Sequence, residues 1–512
     1  MKDQIAVREL DRKHPTFDQY AISWENIDLL AEGGIRLQQH MERFLIKRMK
    51  ELFDVYQERI KRFSYTPNVG TCVGWYEAAL FRRAPEIDIP DADPFYTSFL
   101  SDCNRNGVGF VDLWRSIYKQ MLLMGRSWVM VDCPKANEEP ASLLDEREMG
   151  LDQAYCVVYD PRQVINWGVN QYGEIDWVLI KTLEQPSDFL GTDKSTLVWT
   201  YYDRQQFARY EAAADDNRGL ETGVDRLPPQ SDQFAKLVDS GPHALAKYNL
   251  CPLRLIEVSS NLWLTNKVYL ALIDYLNQEN SLAFNLFMSN LAQPIVFSDT
   301  DPQFQVGEST YIKLGQNDKF EWSEPAGRSY VASQARLDGL RQEIYRSFYL
   351  QAQGRSSNAT ASMQSGFSKE LDMMPSNDIL TCFGDQLRVE MKNVLKMVML
   401  AHGADADKLS DIQVRGFRFE TKPATEAAAL ADEIQALQIP SRTLEKELQK
   451  MVARNALEDS GDDLIKTACD EIDAAPTIAE QQQAQGAQMF QQRFDQLNVR
   501  QEARDEIAST GT

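Results

Sequence analysis

The chain has 512 residues, of which 43% are hydrophobic and 25% charged, and a formal net charge of −22. That length exceeds what one hydrophobic core usually holds, so we expect more than one compact unit. The acidic balance argues against a protein that grips nucleic acid through a broad basic face, and no apolar run approaches the ~20 residues of a membrane helix.

Cysteine usage and the first residues indicate a protein made in a reducing compartment. The seven cysteines are scattered, include no Cys-x-x-Cys pair, and cannot all form disulfides within one chain because their number is odd. The first 25 residues lack the apolar segment of a signal peptide. We therefore expect reduced thiols and synthesis in a cytoplasm.

The N-terminal region predicts helices after a loose arm. Residues 1–22 show no sustained apolar period, and Pro15 interrupts any helix there. Residues 23–63 place apolar side chains at helical spacing, and Gly33-Gly34 divides this pattern into two helices.

An antiparallel sheet is expected next. Residues 111–124 predict an amphipathic helix that ends at Gly125. Residues 127–211 contain a succession of short alternating segments, which favours antiparallel strands. Residues 212–250 are polar and predict irregular structure, and residues 251–259 return as a strand.

Two long helices with a small insert between them follow. Residues 266–292 predict one helix about 40 Å long, and residues 329–352 predict the second. The insert contains two strand candidates, Ile295–Phe297 and Ser309–Lys313. The first helix opposes its apolar stripe with an amide-rich side, formed by Asn277, Gln278, Asn280, Asn285 and Asn290.

A polar loop and a third helical stretch complete this region. The loop from Arg355 to Gly366 is small and polar, so little fixes it in one conformation. Pro375 predicts a kink or restart in the helix that follows. Residues 412–420 alternate as a late strand, and the chain from Ala424 is acidic and helix-forming.

The sequence presents no catalytic, metal-binding or cofactor-binding motif, and we expect no enzyme activity and no cofactor. A nucleophile elbow, a phosphate loop and a His-Glu-x-x-His pair are all missing. The histidines are far apart in the chain, at positions 14, 40, 243 and 402. Asp88, Asp91 and Asp93 lack the glycine and terminal glutamate of a calcium loop, so we predict a turn there.

The order of these elements resembles that of the portal proteins of tailed bacteriophages. Local phrases are similar too: Arg59-Ile-Lys-Arg-Phe, Ala84-Pro85-Glu, Gly125-Arg-Ser-Trp-Val-Met-Val-Asp, and Tyr159-Asp-Pro-Arg-Gln-Val-Ile-Asn-Trp167. The resemblance extends over roughly residues 25–500 and rests on element order and these phrases. The insert is short for a clip, which leaves the boundary of the second stem helix open by several residues.

The resemblance implies an α+β, predominantly helical fold with portal-like architecture. The parts in order are an N-terminal arm at 1–22, an α/β wing at 23–264, a first stem helix at 265–292, a small α/β clip at 293–328, a second stem helix at 329–353, a tunnel loop at 354–366, a kinked wing helix and return strand at 367–423, and a helical crown with an acidic, Gln-rich tail at 424–512.

The resemblance also implies partners and a location. A portal forms a homo-oligomeric ring, usually of twelve subunits, at one vertex of the phage head, and is assembled in the bacterial host cytoplasm without a membrane. Double-stranded DNA passes through its channel, and we expect that contact to be weak and non-specific because the chain is acidic. The other expected partners are the terminase large subunit, a head–tail adaptor, and the major capsid and scaffolding proteins.

Two sets of residues become candidate site residues under this resemblance. The tunnel loop would face DNA with one cation among small polar side chains: Arg355, Ser356, Ser357, Asn358, Thr360 and Gln364. The apolar stripes of the stem helices would contact neighbouring subunits: Leu272, Tyr275, Leu337, Leu340, Ile344 and Phe348. The amide-rich side of the first stem helix would line the channel without cations that trap phosphate.

Two other functions stay open. A soluble multidomain cytoplasmic enzyme could assemble a site from residues that are distant in sequence. Another phage head-assembly or adaptor protein is also compatible with the composition, although the chain length and the helix–insert–helix order disfavour it.

Overall fold

The structure, a computed structural model, describes residues 2–89, 91, 93–135, 150–184, 195–214, 233–290, 293–297, 319–323, 328–350, 366–404, 406–417, 442–457 and 462–475. The chain forms two compact units, Met1–Arg418 and Phe419–Thr512. The first contains helices and antiparallel sheets, so the α+β prediction is confirmed. No helix among the described residues is long and apolar enough to cross a membrane.

The first unit alternates between helical and sheet regions. Its helices are α1 (Val7–Leu10), α2 (Pro15–Glu32), α3 (Gly34–Gln39), α4 (Phe53–Lys61), α5 (Asn68–Leu80), α6 (Pro94–Ser101), α7 (Phe110–Met124), α8 (Leu264–Asn290), α9 (Arg328–Ser347) and α10 (Gly366–His402). Its strands are β1 (Gln4–Ala6), β2 (Glu86–Asp88), β3 (Arg126–Asp132), β4 (Tyr155–Tyr159), β5 (Val164–Val169), β6 (Ile175–Glu184), β7 (Thr196–Tyr202), β8 (Gln206–Ala213), β9 (Phe234–Pro242), β10 (Leu253–Glu257), β11 (Gln293–Phe297), β12 (Lys319–Ser323) and β13 (Gln413–Arg415).

The strands form four antiparallel sheets. The largest has the order β1-β9-β8-β7-β6-β5, and a second has the order β10-β3-β4. The antiparallel prediction for residues 127–211 is therefore confirmed. The prediction of irregular structure over residues 212–250 is wrong for β9, whose side chains show no clean alternation. Pairing with β8 and β1 forms this strand, and its own pattern gives no signal for it.

The core is centred on β3, the middle strand of the three-stranded sheet. All seven of its residues are buried, because helices α7 and α10 both pack on it. Helix α7 ends at Gly125, which has the left-handed φ of 76°. A Cβ there would lie 2.8 Å from the Trp263 ring, so a larger residue would also displace the start of α8.

The N-terminal residues belong to the body, and the prediction of a loose arm is wrong. Strand β1 extends the large sheet, and Pro15 occupies the first turn of α2 instead of interrupting a helix. The carboxylate of Asp11 accepts from the buried Lys181 ammonium and from Trp199 Nε1, each at 2.8 Å. The His14 ring stacks on Trp167 at 3.9 Å. These contacts join residues more than 150 positions apart, which local periodicity does not reveal.

The C-terminal end of the first unit pairs with a strand from its N-terminal part. Helix α10 is continuous through Pro375, so the structure shows no restart there. Gly403 follows the helix with a positive φ of 94°. Strand β13 then pairs antiparallel with β2, a strand more than 300 residues earlier in the chain. The predicted late strand is thus confirmed for Gln413–Arg415.

The second unit contains two described helices, α11 (Arg442–Ala456) and α12 (Asp462–Ala474). They pack on each other, and Lys450 Nζ links them through Asp473 Oδ1 at 2.7 Å. The prediction of a helical C-terminal region is confirmed over these residues. The Gln-rich end lies outside the described residues.

Candidate functional site: a two-helix stalk

Helices α8 and α9 and the strand pair between them form one element, which we call the stalk. Helix α8 has 27 residues, and α9, with 20 residues, packs along it. Between the end of α8 and the start of α9, β11 pairs antiparallel with β12. The two long helices predicted at 266–292 and 329–352 and the first predicted strand, Ile295–Phe297, are confirmed as secondary structure. Ser309–Lys313 lies outside the described residues, and β12 was not predicted.

The proximal half of the stalk, Leu264–Leu282 and Leu337–Ser347, is packed into the body. Helix α8 contacts α7 and α2, and α9 contacts α5. Tyr76 of α5 donates from its hydroxyl to the Phe348 carbonyl oxygen at 2.6 Å. An exposed ion pair between Arg336 Nη2 and Asp274 Oδ2, 2.8 Å apart, also links the two helices.

The six predicted subunit contacts lie in or beside this proximal half. All are at most 7% exposed within the single chain: Leu272, Tyr275, Leu337, Leu340, Ile344 and Phe348. The apolar stripes therefore need no neighbouring subunit to bury them, because α2, α5 and α7 pack on the two helices within one chain. Their assignment as contacts between subunits stays a prediction.

The distal half of the stalk is different. We define it as Ala283–Asn290, β11, β12 and Arg328–Arg336. No residue from 283 to 287 or from 330 to 336 is buried in this structure. Large apolar side chains are exposed there, with Leu286 at 42%, Phe297 at 54% and Val331 at 72%. Burial thus decreases along the stalk from the body toward the strand pair.

Two of the α8 amides that were expected to line a channel form hydrogen bonds within the chain instead. Asn277 Oδ1 accepts from the Ile46 backbone N–H at 3.2 Å, and its Nδ2 donates to the Phe44 carbonyl at 2.9 Å. Asn280 is 2% exposed and accepts from Ser64 N at 3.1 Å. For these two residues the channel-lining prediction is wrong, because each satisfies backbone groups of the segment that precedes α5.

Both ends of the segment 44–66 therefore contact one short stretch of α8, Asn277–Asn280, and sequence reasoning missed this contact. Glu279 accepts from Thr66 through both the backbone N–H and the hydroxyl, each at 3.1 Å. Tyr65 packs edge-on against Tyr275, and burial, followed by the nearby Glu279 charge, raises the pKa of Tyr65 above its ordinary range. The available signal in the sequence is a pair of asparagines three positions apart on the amide-rich side of α8.

The predicted tunnel loop is not placed by the structure. Arg355, Ser356, Ser357, Asn358, Thr360 and Gln364 all lie outside the described residues. A described contact joins the interior of α10 to the residues that follow α9. There, the buried Ser376 hydroxyl donates to the Tyr349 carbonyl oxygen at 2.5 Å.

Comparisons with solved structures find chains of phage-like particles. The chain is similar to one from the neck of an empty gene transfer agent particle computed with C6 symmetry, with 14% identity and a TM-score of 0.38. It is similar to one from the virion of a native gene transfer agent particle, with 12% identity and the same TM-score. Both comparisons cover 80% of this chain and 96% of the other. A similarity of this size does not establish a shared fold.

No protein-family model and no curated protein matches the chain. The stalk and the residues around it are therefore interpreted from their own geometry.

A pocket of about 610 Å³ lies between α6 and the end of α10. The His402 ring stacks on Phe95 at 4.0 Å, and its Nδ1 lies 2.8 Å from the Asp152 carbonyl oxygen. Asp93 caps α6 by accepting from the Phe95 backbone N–H, which fits the predicted turn. Within the described ranges, no group of three or more His, Cys, Asp or Glu side chains could hold a metal ion.

Proposed function

We propose that this chain is a portal-type subunit that assembles into a ring, with the stalk packed beside the stalks of its neighbours. The observation that carries the proposal is the decrease in burial along the stalk. A helix pair about 30–40 Å long that ends in exposed apolar side chains is half covered by its own chain. Identical neighbours in a closed ring can cover the remainder.

The order of elements supports the same proposal. A sheet-and-helix body precedes the stalk, and a 37-residue helix and a strand that pairs back with β2 follow it. This is the order that portal proteins present as wing, stem, clip, stem and returning wing. In the proposed ring the expected number of subunits is twelve, at the vertex of a phage head.

The proposed role is structural and not enzymatic. Double-stranded DNA would pass through the channel, and the terminase large subunit, a head–tail adaptor, and the capsid and scaffolding proteins would dock outside it. The net charge of −22 favours weak DNA contacts, because most surfaces of such a ring repel phosphate. DNA can then move without being trapped.

Light scattering of the purified chain tests the assembly. The mass should be a single high multiple of the 58.5 kDa subunit, at both low and high salt. Monomer alone at micromolar concentration would contradict the proposal. Titration with duplexes of unrelated sequence tests the channel, and we expect equal dissociation constants of about 10⁻⁶ M or weaker. Nanomolar, sequence-selective binding would contradict it.

A further inference from the structure

The loop before α4 carries an exposed apolar surface. We call residues 46–53 the basic–apolar loop. Four of its side chains are large, apolar and mostly in solvent: Ile46 is 71% exposed, Met49 101%, Leu52 73% and Phe53 63%. Single exposed apolar residues are common, whereas four within eight positions of one loop concentrate apolar surface as interaction sites do.

This loop is fixed in place although most of it lacks regular secondary structure. The buried Arg59 guanidinium binds the Glu51 carboxylate at two points, with Nε to Oε1 and Nη2 to Oε2 both at 2.9 Å. Arg59 Nη2 also donates to the Ile46 carbonyl oxygen at 2.8 Å. The same carboxylate accepts from the Arg48 backbone N–H at 3.0 Å. One buried ion pair thus holds both ends of the loop.

The loop is also tied to the stalk. Asn277 of α8 accepts from Ile46 N and donates to the Phe44 carbonyl oxygen. The Tyr56 hydroxyl donates to the Leu45 carbonyl oxygen at 3.0 Å, and both of these side chains are buried. The position of the exposed patch is therefore set by the proximal half of the stalk.

A rigid apolar loop is well suited to binding, because little conformational entropy is lost when a partner covers it. Covering a fully exposed Leu, Phe or Met side chain stabilises an interface by about 1.5–3 kcal/mol. Within the described residues these four side chains stay mostly in solvent, and Lys47 Nζ lies 6.0 Å from the centroid of the Phe53 ring. Their burial then depends on a second molecule.

The charges of the loop indicate which molecule. Lys47, Arg48 and Lys50 are exposed, whereas Glu51 is neutralised internally by Arg59. The loop therefore offers basic charge around an apolar centre. The chain as a whole has a net charge of −22, so another copy presents a predominantly acidic surface to it.

We propose that the basic–apolar loop docks on an acidic surface of a second copy of this chain, next to the stalk. The inference rests on the proposed ring and names a contact that builds it. Duplex DNA fits the loop less well, because phosphates would leave the four apolar side chains in water. An anionic membrane is disfavoured by the net charge of the chain.

Assembly of paired variants of the full chain tests the apolar part. Met49→Ser with Leu52→Ser should raise the concentration at which the assembly dissociates about tenfold or more, because two exposed apolar contacts are lost. The control Val169→Ser with Tyr172→Ser removes side chains that are 57% and 79% exposed elsewhere and should have little effect. The conservative pair Met49→Leu with Leu52→Met should assemble normally.

A charge-matched pair tests the basic part. Lys47→Glu with Lys50→Glu should weaken assembly, and added salt should reduce the difference from wild type. Lys119→Glu with Lys236→Glu changes the net charge equally at exposed positions and should not weaken assembly. All variants should retain the wild-type unfolding temperature, since no altered side chain is buried.

A photo-crosslinking amino acid at position 49 tests the identity of the partner. Mixed isotope-labelled and unlabelled copies should give cross-links between copies, to an acidic segment. Normal assembly of both loop variants overturns the inference while leaving the ring intact. Loop variants that assemble normally but lose duplex DNA also overturn it, because the loop then contacts nucleic acid. A wild-type chain that never assembles overturns the ring itself and this contact with it.

Discussion

Strand β3 and the distal half of the stalk are both regular, apolar-containing elements, yet they differ in where their partners lie. Every residue of β3 is buried by helices and strands of the same chain. Val331, Leu286 and Phe297 in the distal half are 42–72% exposed. The comparison teaches that a strong secondary-structure pattern does not tell which molecule covers it, and the exposed region is where the proposed ring would bring neighbouring subunits together.

The largest expected effect is in the body. Trp114 is fully buried on α7, the helix that packs on β3, so Trp114→Ala should lower the free energy of unfolding by about 3–5 kcal/mol and abolish assembly. Chemical denaturation followed by fluorescence or circular dichroism measures this. Lys119→Ala on the same helix is exposed and serves as the control, with an expected change within about 0.5 kcal/mol.

The proximal half of the stalk should behave like the body. Leu340 is 2% exposed within one chain, so Leu340→Ala should cost about 2–5 kcal/mol even in dilute monomer. The exposed neighbour Gln342→Ala is the matched control. A Leu340→Ala monomer as stable as wild type would contradict the observed packing of α9 on the body. It would instead support the assignment of this apolar stripe to a contact between subunits.

The anchor of the basic–apolar loop should give a smaller, pH-dependent effect. Hydrogen bonds from Arg59 hold the pKa of Glu51 below its ordinary value. Because the folded pKa is the lower one, the pair stabilises fully above the unfolded pKa and loses this effect as pH falls through the folded pKa. Glu51→Gln should therefore be less stable than wild type at neutral pH, and the difference in the free energy of unfolding should decrease in acid. A difference in the free energy of unfolding that stays constant with pH would contradict this role of the Arg59–Glu51 pair.

The smallest effect on monomer stability is expected in the distal half. Val331→Ala removes a side chain that is 72% exposed without loss of helix propensity, so the free energy of unfolding of the monomer should change by less than about 0.5 kcal/mol. Assembly measured by sedimentation should weaken nevertheless. If the variant lost as much monomer stability as assembly free energy, the distal half would depend on packing within the chain as β3 does. That result would contradict the comparison.

Sequence reasoning predicted elements well where periodicity is long. The helices of the stalk, α7 with its Gly125 end, and the strands from β3 to β8 are confirmed, because the helices keep a 3.6-residue period and the strands are short apolar or alternating segments. It failed where partners are distant. Strand β9 pairs with both β1 and β8, and β1 pairs with β9. Neither β1 nor β9 has a clear apolar pattern of its own.

The candidate site was predicted only in part. The apolar stripes of the stalk helices are real, but periodicity shows that a stripe is covered and not that a neighbouring subunit covers it. The amides at 277 and 280 were interpreted as a channel lining because hydrogen bonds to backbone groups leave no sequence period. The basic–apolar loop was missed for the same reason, since its rigidity depends on Arg59 and Asn277.

Electron microscopy of the purified full-length chain tests the central claim most directly. The account predicts closed rings with an axial channel, formed without DNA, in which the distal halves of neighbouring stalks lie side by side and their exposed apolar residues are covered. Uniform single-subunit particles at micromolar concentration, at both low and high salt, would contradict it.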